Sequence, residues 1–422
     1  MKEMYRNIGK LFSANVIAQA VGLLIYPILT RMYSPEDFGL LNLFMSIGGL
    51  LIIPATAQYQ YAVSLSGKED ESRGAFHAGL ICLVGSCLVL CLLPIFSNTI
   101  SSWFKTPDLA RYIWLMPVYI CFLGLWNMIS HWYVRHKDFD HISRYQVAQN
   151  LLSAGIKVGL GALAVVGGLL YGGVGAVVLA GLGTIVVGWN KRIRSLWPCN
   201  KETIRNAFHR FRNYPLFAMP SALVNAVNCN IAIWLIAPFF GLADTGYWGM
   251  AMLLAFTPIS LIADSIYKVL LQDTSMKVNA GQKIGDSFLN YIKQCAWITE
   301  PFFAILYATM PWLVKLLLGE GWDETAYMIR CFLPWFFLLC FSLPWSFIPY
   351  LFEKQKINLY IEAGMLLSRL LVIGLGIYLH SIHIATVLYS IVSAVVVLIQ
   401  FIWFGNLVKR HDNSCQTQQA RD

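Results

Sequence analysis

Long apolar runs separated by short polar turns repeat from one end of the chain to the other. A run of about 20 residues with few charges is long enough to cross the roughly 30 Å hydrocarbon core of a bilayer as a helix. The runs lack the strict alternation that a membrane strand needs. The pattern predicts about twelve spans, near 11–33, 38–63, 75–97, 112–132, 145–170, 173–190, 214–240, 246–267, 294–318, 326–350, 357–379 and 384–405. The expected fold class is therefore an all-α integral membrane protein. A glycine-rich turn over Gly167–Gly173 is expected between the fifth and sixth spans. Lys2, Arg6 and Lys10 precede the first run, and no small-residue cleavage site follows a short core, so that run reads as a retained span.

Charge gives the orientation. Charged residues make up 13% of the chain, about half of the roughly 25% usual in a soluble domain. With the N-terminus in the cytoplasm, 24 of the 31 Lys and Arg fall on inner segments. Outer loops hold only Arg31, Lys105, Arg111, Lys315 and Arg330. The positive-inside rule then puts both termini in the cytoplasm. The net charge of +9 reports this topology, and no nucleic-acid partner is expected. The ten cysteines are scattered, mostly within spans, and read as small packing residues.

One external turn, Tyr33-Ser34-Pro35-Glu36-Asp37-Phe38-Gly39, carries the signals of a sharp helix restart. Ser34 is placed to cap, Pro35 suits the first helical position, and Asp37 completes an approximate capping box. The turn has an echo: Asp37-x-Gly39 and Asp244-x-Gly246 lie 207 residues apart. Pro94 and Pro117 correspond to Pro311 and Pro334 at an offset of 217, and Lys157 corresponds to Arg369 at 212. These offsets predict two pseudo-symmetric six-helix lobes in parallel repeat. The expected division is an N-terminal lobe over 1–190, a basic cytoplasmic linker over 191–213, a C-terminal lobe over 214–405 and a cytoplasmic tail over 406–422. In the linker Ile204, Ala207, Phe208 and Phe211 share a face opposite Arg205, His209 and Arg212, which predicts an amphipathic helix on the inner leaflet.

Ionisable residues inside spans are functional candidates because a Lys or Arg at mid-bilayer costs roughly 2.5–3.5 kcal/mol. Lys157, flanked by Gly155 and Gly159, and Arg369 suggest a cationic cavity for an anionic substrate; the structural alternative is an ion pair or a snorkelling side chain. Asp264, four residues before Lys268, and Glu300, which precedes Pro301, are candidates for ion coupling, with a local ion pair the simpler reading of Asp264. No metal set, cofactor motif or nucleophile motif is found, and no external loop exceeds about 20 residues, so neither an enzyme nor a cofactor is expected.

The stretch from Ser13 to Phe44 closely resembles the start of Wzx-type oligosaccharide flippases, within the multidrug/oligosaccharidyl-lipid/polysaccharide exporter superfamily. The matching residues are Arg31, Tyr33, Ser34, Pro35, Glu36, Asp37, Phe38 and Gly39. The resemblance implies a transporter of the bacterial inner membrane. It would move an undecaprenyl-diphosphate-linked oligosaccharide to the outer leaflet by alternating access, with the polyprenyl tail in lipid, for O-antigen (lipopolysaccharide) or capsule synthesis. Arg31 joins Lys157 and Arg369 as an implied substrate contact. Membrane lipids and the polymerase and assembly proteins of the pathway are the implied partners. Where relatives carry an R-Y-E-x-A-like stretch, this chain has Gln58-Tyr59-Gln60-Tyr61-Ala62, so no charged role carries over there. The competing reading is a multidrug or cation exporter of the same superfamily, which should show acidic cavity residues. A lipid II flippase would carry about fourteen spans, and a membrane glycosyltransferase or polymerase a large external loop.

Overall fold

A computed structural model describes residues 24–186, 191–197 and 200–419, and every regular element among them is helical. Eight helical stretches in this part of the chain are long and apolar enough to cross a membrane. They are Pro35–Thr56, Glu69–Trp103, Tyr214–Phe240, Leu242–Val278, Gly285–Leu318, Asp323–Leu351, Gln355–Tyr378 and Ile382–Gln416. The protein is a multi-pass membrane protein. Most of the predicted first span lies outside the described residues. The predicted fourth to sixth spans are the helices Leu115–Arg135, Phe139–Ala162 and Gly168–Val186.

The chain divides into two compact units after Gly246. In the first, the helices that matter below are α1 (Tyr26–Met32), α2 (Pro35–Thr56), α3 (Tyr59–Leu65), α4 (Glu69–Leu90), α5 (Leu115–Arg135), α6 (Phe139–Ala162), α7 (Gly168–Val186), α8 (Lys201–Arg210), α9 (Met219–Phe240) and the start of α10 (Leu242–Ala251). Tyr59, Phe76, Trp132 and Tyr133 centre its core, and Trp126 stacks on Tyr145 with ring centroids 3.3 Å apart. The second unit contains α11 (Thr257–Asn279), α12 (Gly285–Leu318), α13 (Asp323–Ser342), α14 (Gln355–Tyr378) and α15 (Ile382–Gln419). Its core gathers Phe288, Trp345, Phe347 and Phe404, with Phe288 edge-on to Trp345 at 4.8 Å.

The Tyr33–Gly39 turn is built as its residues dictate. The Asp37 backbone N–H donates to Ser34 Oγ at 3.4 Å, the Ser34 N–H donates to Asp37 Oδ2 at 3.0 Å, and Pro35 opens α2. This is a complete capping box. Tyr33 is buried, and its hydroxyl donates to the carbonyl oxygen of Lys157 at 2.7 Å, tying the turn to α6. Gly39 then meets the echoed motif. A Cβ at Gly39 would lie 1.9 Å from the Leu242 carbonyl oxygen, and one at Gly246 would lie 2.0 Å from that of Pro35. The two Asp-x-Gly motifs are packed against each other backbone to backbone.

Three local expectations change, and a fourth gains detail. The second span is not continuous over 38–63: α2 ends at Thr56, and Ala57 and Gln58 take left-handed backbone angles (φ 45° and 60°) before α3 restarts. The turn after α6 comes before the predicted glycine-rich stretch, at 163–167, because Ala164 and Gly167 supply the positive φ; Gly168–Gly175 lie inside α7. The apolar face of α8 packs in part on the core of the first unit. Ala207 is buried over Gly74 of α4, Phe208 is edge-on to Tyr59, and Arg210 pairs with Glu71 at 2.9 Å. Finally, α15 runs past residue 405 to Gln419, and the Asp412 carboxylate accepts the N–H groups of Ile284 and Gly285, each at 2.9 Å, at the start of α12.

Candidate functional site

Among the described residues of the first unit, the predicted fifth span holds one cation, Lys157. Lys157 lies on α6 and is partly buried, its stem over the bare surface of Gly172 on α7, where an added Cβ would sit 2.5 Å from Lys157 Cγ. Among the described residues its ammonium meets no carboxylate or hydrogen-bond acceptor. Gly155 and Gly159 were expected to admit a close neighbour, yet a Cβ at either meets nothing within 4 Å. The glycine that permits close packing at this lysine is Gly172, across the helix pair, because the Lys157 stem and not its flanks faces α7. Arg31, on α1, is exposed and turns back on its own helix, donating to the carbonyl oxygen of Pro27.

Arg369, in the second unit, is placed differently. It is 5% exposed on α14, and its Nε donates to Ser393 Oγ of α15 at 3.1 Å. The guanidinium carbon lies 5.1 Å from the Trp335 ring centre and 4.7 Å from that of Tyr389. Each such cation–π contact is worth about 0.5–2 kcal/mol, more when desolvated. The repeated basic pair is thus unequal: the Arg369 charge is enclosed by aromatic faces, whereas the Lys157 charge has no such enclosure.

The second unit also holds a polar chamber of about 480 Å³. Asp264 on α11, Asn358 and Glu362 on α14, and Gln400 on α15 line it, with Ser260, Tyr267, Ser346 and Tyr350. Gln400 Nε2 donates to Asn358 Oδ1 at 2.9 Å, and Asn358 Nδ2 donates to Glu362 Oε1 at 2.8 Å. This relay fixes the Glu362 carboxylate as an acceptor at the chamber wall. Asp264 carries the local pair its spacing suggested, with Lys268 Nζ at 2.6 Å. Glu300 is exposed on α12 and is not part of the chamber wall, and α12 runs through Pro301 without a break. Sequence reasoning had passed over Asn358, Glu362 and Gln400. Their signal was present: polar side chains near the ends of apolar runs, two of them at i, i+4 on one helix face.

The polysaccharide biosynthesis protein family matches residues 28–327, most of the chain, including Lys157 and Asp264. The chain belongs to this family. A curated relative, the teichuronic acid biosynthesis protein TuaB of Bacillus subtilis (strain 168), is 20% identical over 235 residues, 56% of this chain and 48% of that protein. The chain thus spans about half the length of the curated relative it matches. Among solved structures, the lipid II flippase MurJ in an inward closed conformation superposes with a TM-score of 0.76 at 16% identity, over 96% of this chain and 91% of that one. An inward-facing multidrug resistance MATE family transporter of the MOP superfamily gives 0.65 at 14%, over 94% and 96%. A MOP superfamily transporter from Pyrococcus furiosus gives 0.61 at 15%, over 96% and 95%. At such identities these likenesses establish the fold, which this member of the polysaccharide biosynthesis family shares with MOP-superfamily transporters.

Proposed function

We propose that this protein is a flippase for an undecaprenyl-diphosphate-linked oligosaccharide. It moves the headgroup from the cytoplasmic to the outer leaflet of the bacterial inner membrane for surface polysaccharide synthesis, with both termini cytoplasmic. The observation that carries the reading is Lys157, a cation within a membrane helix that has no acidic partner among the described residues. A charge held within a membrane helix without compensation is expensive, and a diphosphate entering beside it would supply the missing counter-charge. Arg31, exposed on α1 and on the outer side in the predicted topology, would meet a headgroup at that surface, while Arg369 serves through the helices it holds. The two lobes, 1–190 and 214–405 about the basic linker, would alternate access by rocking.

The test is the leaflet distribution of the lipid-linked oligosaccharide in cells lacking the gene, with drug tolerance measured in parallel. Accumulation on the cytoplasmic side with unchanged drug tolerance is expected. A second reading, export of cationic drugs, is favoured by one observation: Asp264 and Glu362 are acidic and line the same chamber. Normal glycolipid distribution with new drug sensitivity would establish that reading instead. Asp264 and Glu300 remain the coupling candidates, Asp264 because it borders the chamber.

A further inference from the structure

The Tyr33 hydroxyl reaches out of its own turn. Ser34 and Asp37 close the capping box without it, so the turn does not need its bond. It donates instead to the carbonyl oxygen of Lys157, 124 positions away, at 2.7 Å. In an α-helix that carbonyl also takes the N–H of the residue four places on, and its second lone pair is open to a side chain. The tyrosine ring enters a notch between two glycines. A Cβ at Gly161 of α6 would lie 2.9 Å from Tyr33 Cε2, and one at Gly168 of α7 would lie 2.4 Å from the Tyr33 hydroxyl oxygen. A methyl group at Gly168 would therefore push the hydroxyl off its acceptor. Lys157 is gripped twice: its carbonyl is bound by Tyr33, and its Cγ rests on Gly172. The stem continues past Gly173 toward α2, since a Cβ at Gly173 would lie 3.9 Å from Lys157 Cε and 2.9 Å from Met45 Cε. The turn that carries Tyr33 also opens α2. It thus sets both the helix that bears the lysine and a wall beside the lysine's far end.

We propose that Tyr33 is a positioning residue for substrate: its hydroxyl fixes the rotation of α6 against α2, and through it the place of the Lys157 ammonium. The inference rests on the flippase reading and adds a role for the Tyr33–Gly39 turn beyond starting a helix. An α-helix is about 10–12 Å across with its side chains, so turning α6 by about 20° carries a side-chain end about 2 Å. A charge-assisted hydrogen bond to phosphate holds at about 2.7–2.9 Å, and a displacement of that size breaks it. Without the tether the ammonium keeps its charge and samples a wider volume.

The test uses the full-length protein in nanodiscs of phosphatidylethanolamine and phosphatidylglycerol. Tyr33→Phe removes the hydroxyl and keeps the ring. Gly168→Ala keeps Tyr33 and displaces its hydroxyl, so two separate changes break one bond. Acetic anhydride labels lysine amines, and mass spectrometry reads the rate at Lys157 against the exposed Lys105 and Lys315 of the same molecule. A hydrogen bond of ordinary net strength shifts a population about fivefold. Both variants should therefore speed Lys157 labelling by about that factor and leave Lys105 and Lys315 unchanged. Binding of radiolabelled undecaprenyl diphosphate should weaken about five- to tenfold in either variant. In a Lys157→Ala background, which weakens binding by itself, neither change should weaken it further. Lys157 labelling at the wild-type rate in both variants overturns the positioning role, and so does equal weakening with and without Lys157. Faster labelling at all three lysines marks a loosened fold and overturns it as well. Wild-type protein that binds no probe, or binds it equally after Lys157→Ala, overturns the flippase reading carried by Lys157, and the labelling then decides the link from Tyr33 to Lys157 on its own.

Discussion

Adding one methyl group at Gly39 tests how the two Asp-x-Gly motifs hold together. The new Cβ would lie 1.9 Å from the Leu242 carbonyl oxygen, 2.7 Å from its carbon and 3.1 Å from the Gly246 nitrogen. A carbon–oxygen contact normally rests near 3.3 Å, so the helix starts must part by about 1.4 Å. All three atoms are backbone, and no side-chain rotation relieves the overlap. Overpacking of this kind costs about 1–3 kcal/mol, and with no flexible atom to yield we expect the upper half of that range for Gly39→Ala. Gly246→Ala meets the Pro35 carbonyl oxygen at 2.0 Å and should cost about the same. The two overlaps are relieved by the same separation, so the double variant should cost well under the sum of the single ones. Unfolding in mixed SDS and dodecylmaltoside micelles measures all three. Either single variant within about 0.5 kcal/mol of wild type, or a fully additive double, would refute the close-contact argument.

Lys157→Ala should abolish restoration of glycolipid distribution in complementation, with the unfolding midpoint unchanged or raised, since a costly charge is removed; a complementing variant would remove Lys157 from the substrate path. Arg369→Lys should lose the planar stacking on Trp335 and Tyr389 and destabilise the protein by about 1–3 kcal/mol, read by thermal unfolding in detergent; unchanged stability would show that the aromatic enclosure contributes nothing. Asp412→Ala leaves the Ile284 and Gly285 N–H groups without their acceptor and should cost about 1–3 kcal/mol, with faster hydrogen exchange confined to the start of α12 as its signature. Ser34→Ala removes one arm of the capping box and should cost about 0.5–2 kcal/mol; loss of function beyond that destabilisation would point to a role for the turn other than capping.

The capping box was legible because its parts lie within four residues and interact through backbone groups that any helix start leaves open. The Asp-x-Gly echo was legible as a repeat, but that Gly39 and Gly246 touch was not, since a contact across 207 positions leaves no local trace. The apolar stripe of α8 was visible too. Nothing in the stripe says which part of it protein covers, and Gly74, which admits Thr203 and Ala207, marks that part. Ala57 and Gln58 break the second span in the turn after Pro54 and carry no turn signal of their own, so hydropathy read straight through. The chamber failed to emerge for a related reason: Asp264, Asn358, Glu362 and Gln400 come from three helices, and each alone is an ordinary polar residue near the end of an apolar run.

The inequality between Lys157 and Arg369 bears on how the proposed flippase would handle an anionic cargo. Two cations at equivalent repeat positions look like two substrate contacts, yet a guanidinium between two aromatic faces and hydrogen-bonded to Ser393 already has much of its solvation replaced. Drawing it toward a ligand would forfeit those contacts, so its interaction with cargo gains little. Lys157 forfeits nothing comparable among the described residues, and its four-carbon stem can swing about its anchor over Gly172. Differential stabilisation is what shifts a conformational equilibrium, and only a cation whose surroundings change on binding can supply it. The flippase reading therefore predicts coupling at Lys157, while Arg369 keeps α13, α14 and α15 joined as a body that can move without rearranging inside.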